Sequence, residues 1–459
     1  MKLCVIPIDN RPVCYNLIKE ITRIDKSIEL YIPPRNLMGG LTKDADIIGL
    51  YSWLCKLPEV DAIVLSLDTI AYGGLIPSRR CPDSFSDIQS RLQDFKEVLK
   101  TKKAKIYAVS SIMRISNNNC NQEEKPYWNK YGKYIFEYSY AKHQYATGLG
   151  LEIPVKNLIP PHILADYKQT RARNFSINQL YLKWKKEGFF DTLIFSKDDC
   201  AKYGFNVMEA EHLKRMGGEV ITGADEIPLS LISRAINCDM TVNPVFLEND
   251  SKDLISNYED VSIETSVLNQ LNFAGVGVGV GVNIGGNDSN AVTLIVNNFK
   301  EHQGEIVMKK DTEQFSGELI LPETPYMVAD VRNANGADNN FVKELFNKFR
   351  YDGFFGYSAW NTSANSLGSL ICCAKVKYNA IKNNTYNEQA FKKVQMIRFL
   401  DDWAYQANIR QQITEPCNIQ ELMQPYEEKV SSLLGLEIRN EYFYPWNRLF
   451  EIEVSDELF

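Results

Sequence analysis

Through the first 245 residues, short apolar runs alternate with longer amphipathic ones, and this constrains the fold more than any other feature. The apolar runs are LCVIPID (3–9), IELYIPP (28–34), AIVLSLD (62–68), KIYAVSSI (105–112), TLIFSKDD (192–199), EVITGAD (219–225) and MTVNPVF (240–246). Between them lie helix-period stretches such as SFSDIQSRLQDFKEVLKTK (84–102) and MEAEHLKRMG (208–217). Strand alternating with helix predicts an α/β fold, a parallel sheet flanked by helices. Both a (β/α)8-like barrel and an open doubly wound sheet accommodate that many units. A second α/β region follows, with strands at 292–299, 326–331 and 353–360, and FKKVQMIRFLDDWAYQANIRQQI (391–413) reads as one strong helix. The expected division is 1–250, with a helical insertion at 113–190, then 251–385, then a C-terminal helix and aromatic tail at 386–459.

Composition narrows the function classes. The chain of 459 residues is 44% hydrophobic and 24% charged, with formal net charge −7. That is a globular balance with no basic footprint for nucleic acid. No run of eighteen apolar residues predicts a membrane span, and MKLCVIPIDNRP is too short and too soon charged to act as a signal peptide. Ten cysteines without a C-x-x-C pair and four scattered histidines fit reduced thiols in the cytoplasm rather than a zinc site. The one low-complexity piece, GVGVGVGVNIGG (275–286), has no lysine where a phosphate loop needs one and fits a glycine-rich strand or loop. Nothing in the sequence sets an oligomeric state.

In such folds the chemistry gathers at the C-terminal ends of the strands, and polar residues cluster there. Asp9, Asn10 and Arg11 end the first strand, and Asp68 ends the third. Tyr72, a Gly-Gly pair and Arg79 follow Asp68, and Arg114 follows the fourth strand. Asp198 and Asp199 end the fifth strand, and Asp225 and Glu226 the sixth. In the second region, RNANGAD brings Asn335 and Asp338, and YSAWNTSANSLG brings Trp360, Asn361 and Asn365. Capping by Asp338 and by Thr362 or its neighbours explains some of these residues.

Carboxylates with arginines, amides and aromatics, and without a His or Cys nucleophile motif, are the equipment of sugar hydrolysis. One acid protonates the leaving oxygen and another acts as base or nucleophile, while amides and rings bind hydroxyls and ring faces. The expected function is therefore a hydrolase of a glycan or other polyhydroxylated small molecule. Asp198 and Asp199 form the acid/base pair, with Asp68 as their rival. The remaining strand-end residues bind substrate in a cleft shared by the two regions, and no cofactor is required. The alternatives are a hydrolase or transferase in which Asp9, Asp68, Asp198 and Asp199 hold Mg or Mn on a phosphate-bearing substrate, and a carbohydrate-binding protein without turnover.

Several of these segments together resemble one family. IDNRPV (8–13), SLDTIAYGGLIPSR (66–79), SIMRIS (111–116), SKDDC (196–200), GADE (223–226), RNANGAD (332–338), YSAWNTSANSLG (357–368) and RFLDDWAYQ (398–406) resemble DUF4127, a family of bacterial proteins of uncharacterised function. The resemblance spans nearly the whole chain and implies a bacterial origin, but no mechanism. Ser366 stands where the family pattern often has Thr, a change that keeps the hydroxyl.

Overall fold

The computed structural model describes residues 1–150, 154–198, 201–279 and 291–456. The chain divides into two units. The first comprises Met1–Tyr15, Glu29–Pro228 and Tyr258–Asp260, and the second Asn16–Ile28, Leu229–Asn257 and Val261–Phe459.

The first unit is built on six parallel strands: β1 (Lys2–Ile6), β2 (Glu29–Tyr31), β3 (Ala62–Ser66), β4 (Lys105–Ile112), β5 (Thr192–Lys197) and β6 (Glu219–Thr222). Their order is β2-β1-β3-β4-β5-β6, so the sheet is open and the barrel alternative falls away. Every residue of β3 and β5 is buried, as expected for strands covered on both faces. The order reverses between β1 and β3, and at such a switch point the loops part to leave a crevice beyond the strand ends.

Local sequence sets the flanking helices. α1 (Asn16–Thr22) belongs to the second unit; after α2 (Ile47–Cys55) come two short helices beyond β3, α3 (Leu67–Tyr72) and α4 (Pro77–Arg80). Gly73, at φ 92°, ends α3 in the left-handed region that its lack of Cβ permits. α5 (Phe85–Thr101) starts in a capping box between Ser84 and Asp87. It buries Ile88, Leu92, Phe95 and Leu99, one stripe at helical spacing, in the main core.

The insertion at 113–190 is the crossover from β4 to β5. α6 (Trp128–Ala146) and the first half of α7 (Pro161–Lys186) form a separate core around Trp128, Ile135 and Tyr167. The second half of α7 places Ile177, Tyr181 and Trp184 in the main core. Only its first part therefore forms a separate layer. α8 (Phe205–Arg215) follows β5, and α9 (Ile227–Ala235), which belongs to the second unit from Leu229 onward, follows β6.

The second unit holds a five-stranded parallel sheet of β7 (Thr241–Phe246), β8 (Gly277–Val278), β9 (Val292–Asn297), β11 (Tyr326–Asp330) and β13 (Phe354–Ser358), in the order β13-β11-β9-β7-β8. Two-residue strands β10 (Gly304–Glu305) and β12 (Asn333–Ala334) pair separately. MTVNPVF, which reads from sequence as a seventh strand of the first region, is instead β7 of this sheet and pairs with β9. Of the glycine-rich stretch, 280–286 lies outside the described residues.

α10 (Ile263–Phe273) and α12 (Ser363–Lys382) pack into this sheet's core, while α11 (Asn339–Lys348) starts at the Asp338 cap. The segment at 391–413 is not one uniform helix. α13 (Glu388–Arg398) runs into a π-helix over Phe399–Ile409 and then a 3₁₀ turn over Arg410–Gln412. π-helical turns are rare and frequently functional. α14 (Gln420–Leu434) and a hairpin of β14 (Asn440–Phe443) with β15 (Glu453–Asp456) complete the unit. Among the described residues, no helix is long and apolar enough to cross a membrane.

Candidate functional site

At the C-terminal edge of the first unit's sheet, the residues expected from sequence fall into three groups. The first centres on Arg11, just beyond β1. Its guanidinium donates to Asp9 Oδ2 from Nε (3.0 Å) and Nη2 (2.8 Å), and to Asp225 from Nη1 (3.1 Å) and Nη2 (2.5 Å). Nη2 also lies 3.5 Å from Cys14 Sγ. Asp9, Cys14 and Asp225 bring three potential metal-ligand atoms within 4.8 Å of one another, all buried. Arg11 Nη2 sits among all three, where an ion would have to be. A guanidinium and a thiol at that point do not suit Mg or Mn, which take hard oxygen donors. Asp225 thus pairs with Arg11. Beside this group, the carbonyl of Asn10 accepts from Arg35 Nε at 2.9 Å, and Glu226 accepts from the Ala224 N–H at 2.9 Å, so both shape turns.

Asp68 forms the second group. It lies in the first turn of α3, only 1% exposed, and accepts from the Ser111 backbone N–H at 2.8 Å. Burial pushes its carboxyl up to about 6, against the opposing pull of the Ser111 hydrogen bonds and Arg79. One turn along α3, Tyr72 is buried under the Arg173 guanidinium. Burial first, then the Asp68 carboxylate, raises its hydroxyl well above the usual range. The Tyr72 hydroxyl and Ser66 Oγ find no hydrogen-bond partner among the described residues.

The third group is the most open. Asp198, at the end of β5, lies 3.4 Å from Arg114 Nη1 and 3.8 Å from Arg79 Nη2. Its partner in the expected pair, Asp199, lies outside the described residues. The same two arginines hold two carboxylates that sequence reasoning missed. Glu123 is 2.6 Å from Arg114 Nη2 and 3.5 Å from Arg79 Nη1. Glu124 is 3.3 Å from Arg79 Nη1 and 3.4 Å from Arg114 Nε. Asp198, Glu123 and Arg114 keep side-chain exposures of 22%, 23% and 16%, whereas Arg79 and Glu124 are buried. The group is thus a mouth with a buried floor. Its overlooked signal is the Glu pair in NQEEKP, within the insertion at 113–190. Nearby, Lys197 pairs with Asp260, whose carboxyl burial raises but Lys197 and Thr222 bring down on balance.

The second unit gathers its expected residues differently. Asp338 caps α11, accepting from the Asn340 and Phe341 N–H groups at 2.9 and 3.1 Å. Beside it, Asp330 accepts from Asn297 Nδ2 (2.7 Å), the Asp338 N–H (2.8 Å) and the Tyr357 hydroxyl (3.2 Å). Burial and the neighbouring Asp338 carboxylate push Asp330 upward. Arg332, 1% exposed, donates to Glu248, Glu313 and Asn297 at 2.7, 3.1 and 3.1 Å. Asn335 and Asn361 both hold positive φ (60° and 59°), and the Asn335 N–H donates to the Asn361 carbonyl at 2.7 Å. Thr362 caps α12 through the Asn365 N–H at 3.3 Å. Trp360 is 2% exposed and meets Phe450 edge-on, so its ring presents no open face to a sugar. A groove of about 910 Å³ between α11 and α14, floored by Trp403, contains none of the expected residues.

The first unit is therefore a doubly wound α/β unit with a guanidinium–carboxylate mouth at its strand ends. The chain belongs to the family described as proteins of unknown function, DUF4127, whose model matches residues 3–455. No curated protein matches it.

Proposed function

We propose that the protein is a hydrolase acting on a glycan or another polyhydroxylated small molecule, with Asp198 as the carboxylate that meets the substrate. The observation supporting this is the setting of Asp198, which stands partly open at a strand end between two guanidiniums. Arg79 and Arg114 orient it, and their distances to Asp198 of 3.8 and 3.4 Å leave room to tighten on a substrate. Asp198 acts as base or nucleophile, and Asp199, next in sequence, supplies the second carboxyl that glycoside hydrolysis needs. Asp68 is a buried positioning residue for Asp198. It holds the Ser111 N–H, and Ser111 Oγ is 3.3 Å from Ser196 Oγ, two residues before Asp198. The described cysteines form no disulfide with one another, which supports a cytoplasmic setting.

The test is turnover of a panel of nitrophenyl glycosides by wild type and Asp198→Asn, with circular dichroism to verify the fold. The expected result is a loss of about 10²–10⁴-fold in the variant. Full turnover by a folded Asp198→Asn protein would remove the reading. Activity lost in EDTA and restored by Mg or Mn would replace it with metal-dependent phosphate chemistry, and a ligand bound but recovered unchanged would replace it with binding alone.

A further inference from the structure

We propose that the second unit carries a ligand site of its own, the groove between α11 and α14, and that its ligand is a phosphate ester bearing a flat ring, as a nucleotide is. The groove measures about 910 Å³ and is lined wholly by residues of the second unit. Small-molecule sites span about 300–1,000 Å³. Its floor comes from the π-helix, a backbone form frequent at functional sites.

The floor is fixed before any ligand arrives. Trp403 lies between the two walls, edge-on to Phe346 of α11 and to Tyr426 of α14, with ring centroids 5.0 Å apart in each pair. Its indole N–H donates to Asn339 Oδ1 at 2.9 Å. Asn339 and Asn408 complete the brace, each amide donating to the other's oxygen at 3.0 Å. Phe346 and Tyr426 stay half-buried, so the walls offer ring surface to a flat apolar body.

The polar lining selects what that body carries. Lys343 on α11 and Lys429 on α14 put one ammonium on each wall. Among the described residues, neither has a carboxylate at ion-pair distance. Lys429 rests instead over the rings of Trp403 and Tyr426, 5.7 and 5.8 Å from their centroids. Glu428 is the one carboxylate in the lining, and it accepts from Gln424 Nε2 on its own helix at 3.3 Å. Among the described residues, no arginine lines the groove. An ammonium acts on phosphate as a point charge, whereas a planar carboxylate is matched by a guanidinium fork. Two lysines beside an aromatic strip therefore fit a ring-bearing phosphate. Asn347 on one wall and Ser432 on the other are exposed and face the same space, where they can bond the ligand's hydroxyls.

The experiment is calorimetric titration of the full chain with adenosine monophosphate, adenosine, inorganic phosphate and benzoate. Wild type is compared with Lys343→Gln combined with Lys429→Gln, and with Ser432→Trp, which fills the groove. All three positions are exposed, and thermal melting checks each fold. Adenosine monophosphate should bind wild type at least about tenfold more tightly than adenosine or phosphate alone. Losing both ammoniums should weaken it about a hundredfold, about tenfold for each charge-assisted contact, and Ser432→Trp should abolish it. No binding of adenosine monophosphate, binding that neither variant disturbs, or equal binding of phosphate alone overturns the proposal. Tighter binding of benzoate overturns the phosphate assignment. Binding lost in Arg114→Gln but kept in the lysine variant would place the nucleotide in the first unit and overturn this site. Self-association in sedimentation that Ser432→Trp abolishes would make the groove a contact between copies of the chain and overturn it as well.

Discussion

Replacing Asp68 with Asn should make the protein more stable at neutral pH. The carboxyl is fully buried, and burial moves it from 3.8 to about 6. Between those values the native state binds the proton more readily than the unfolded chain, so stability falls as pH rises through this window and stays lower above it. A carboxyl moved that far costs the fold about 3 kcal/mol when ionised. Asn removes the charge and keeps the shape. Its amide oxygen still accepts from the Ser111 N–H, now 2.8 Å from Asp68 Oδ2. Its NH₂ supplies a donor in a region where Ser66 Oγ and the Tyr72 hydroxyl are unpaired among the described residues. Urea unfolding of wild type and Asp68→Asn at pH 4, 5, 6 and 7.5 checks the argument. Wild type should lose stability from pH 4 to 6 through this group, and the variant should lack that component and gain about 2–3 kcal/mol at pH 7.5. A variant less stable than wild type at pH 7.5, with an unchanged profile between pH 4 and 6, would refute it. A stabilised variant with reduced turnover would mark Asp68 as a group kept for function at a cost in stability.

Two other substitutions probe the remaining groups. Arg11→Met leaves the buried Asp9 and Asp225 carboxylates without their shared guanidinium and should destabilise by about 3–5 kcal/mol in urea unfolding; adding Asp9→Asn and Asp225→Asn should recover much of that loss. Asn361 sits at φ 59° with its carbonyl held by the Asn335 N–H, so Asn361→Ala should cost about 1–2 kcal/mol by thermal melting and Asn361→Gly much less.

Much of the fold is legible along the chain because burial on both faces writes itself as continuous apolar runs. KIYAVSSI is β4 residue for residue, and SFSDIQSRLQDFKEVLKTK carries the cap and stripe of α5. MTVNPVF shows where this stops. Its composition marks a buried parallel strand, but pairing with β9 rather than β6 depends on contacts between segments about fifty residues apart. The π-helix over Phe399–Ile409 is similarly hidden, since its side chains keep a helical pattern while its backbone bonds shift by one residue.

The same division runs through the candidate site. Sequence alone determined that carboxylates and arginines stand at strand ends, because alternation sets where strands stop and polar residues follow. It also marked Asp338 and the residues around Thr362 as helix caps, since capping is decided within one turn of chain. Only the tertiary structure decided which charges meet. Asp225 reaches Arg11 across 214 positions, Glu123 swings in from the crossover onto Arg79 and Arg114, and Trp360 closes against Phe450. Charge pairing and burial are set by distance in space, and a single chain read in order carries no record of that distance.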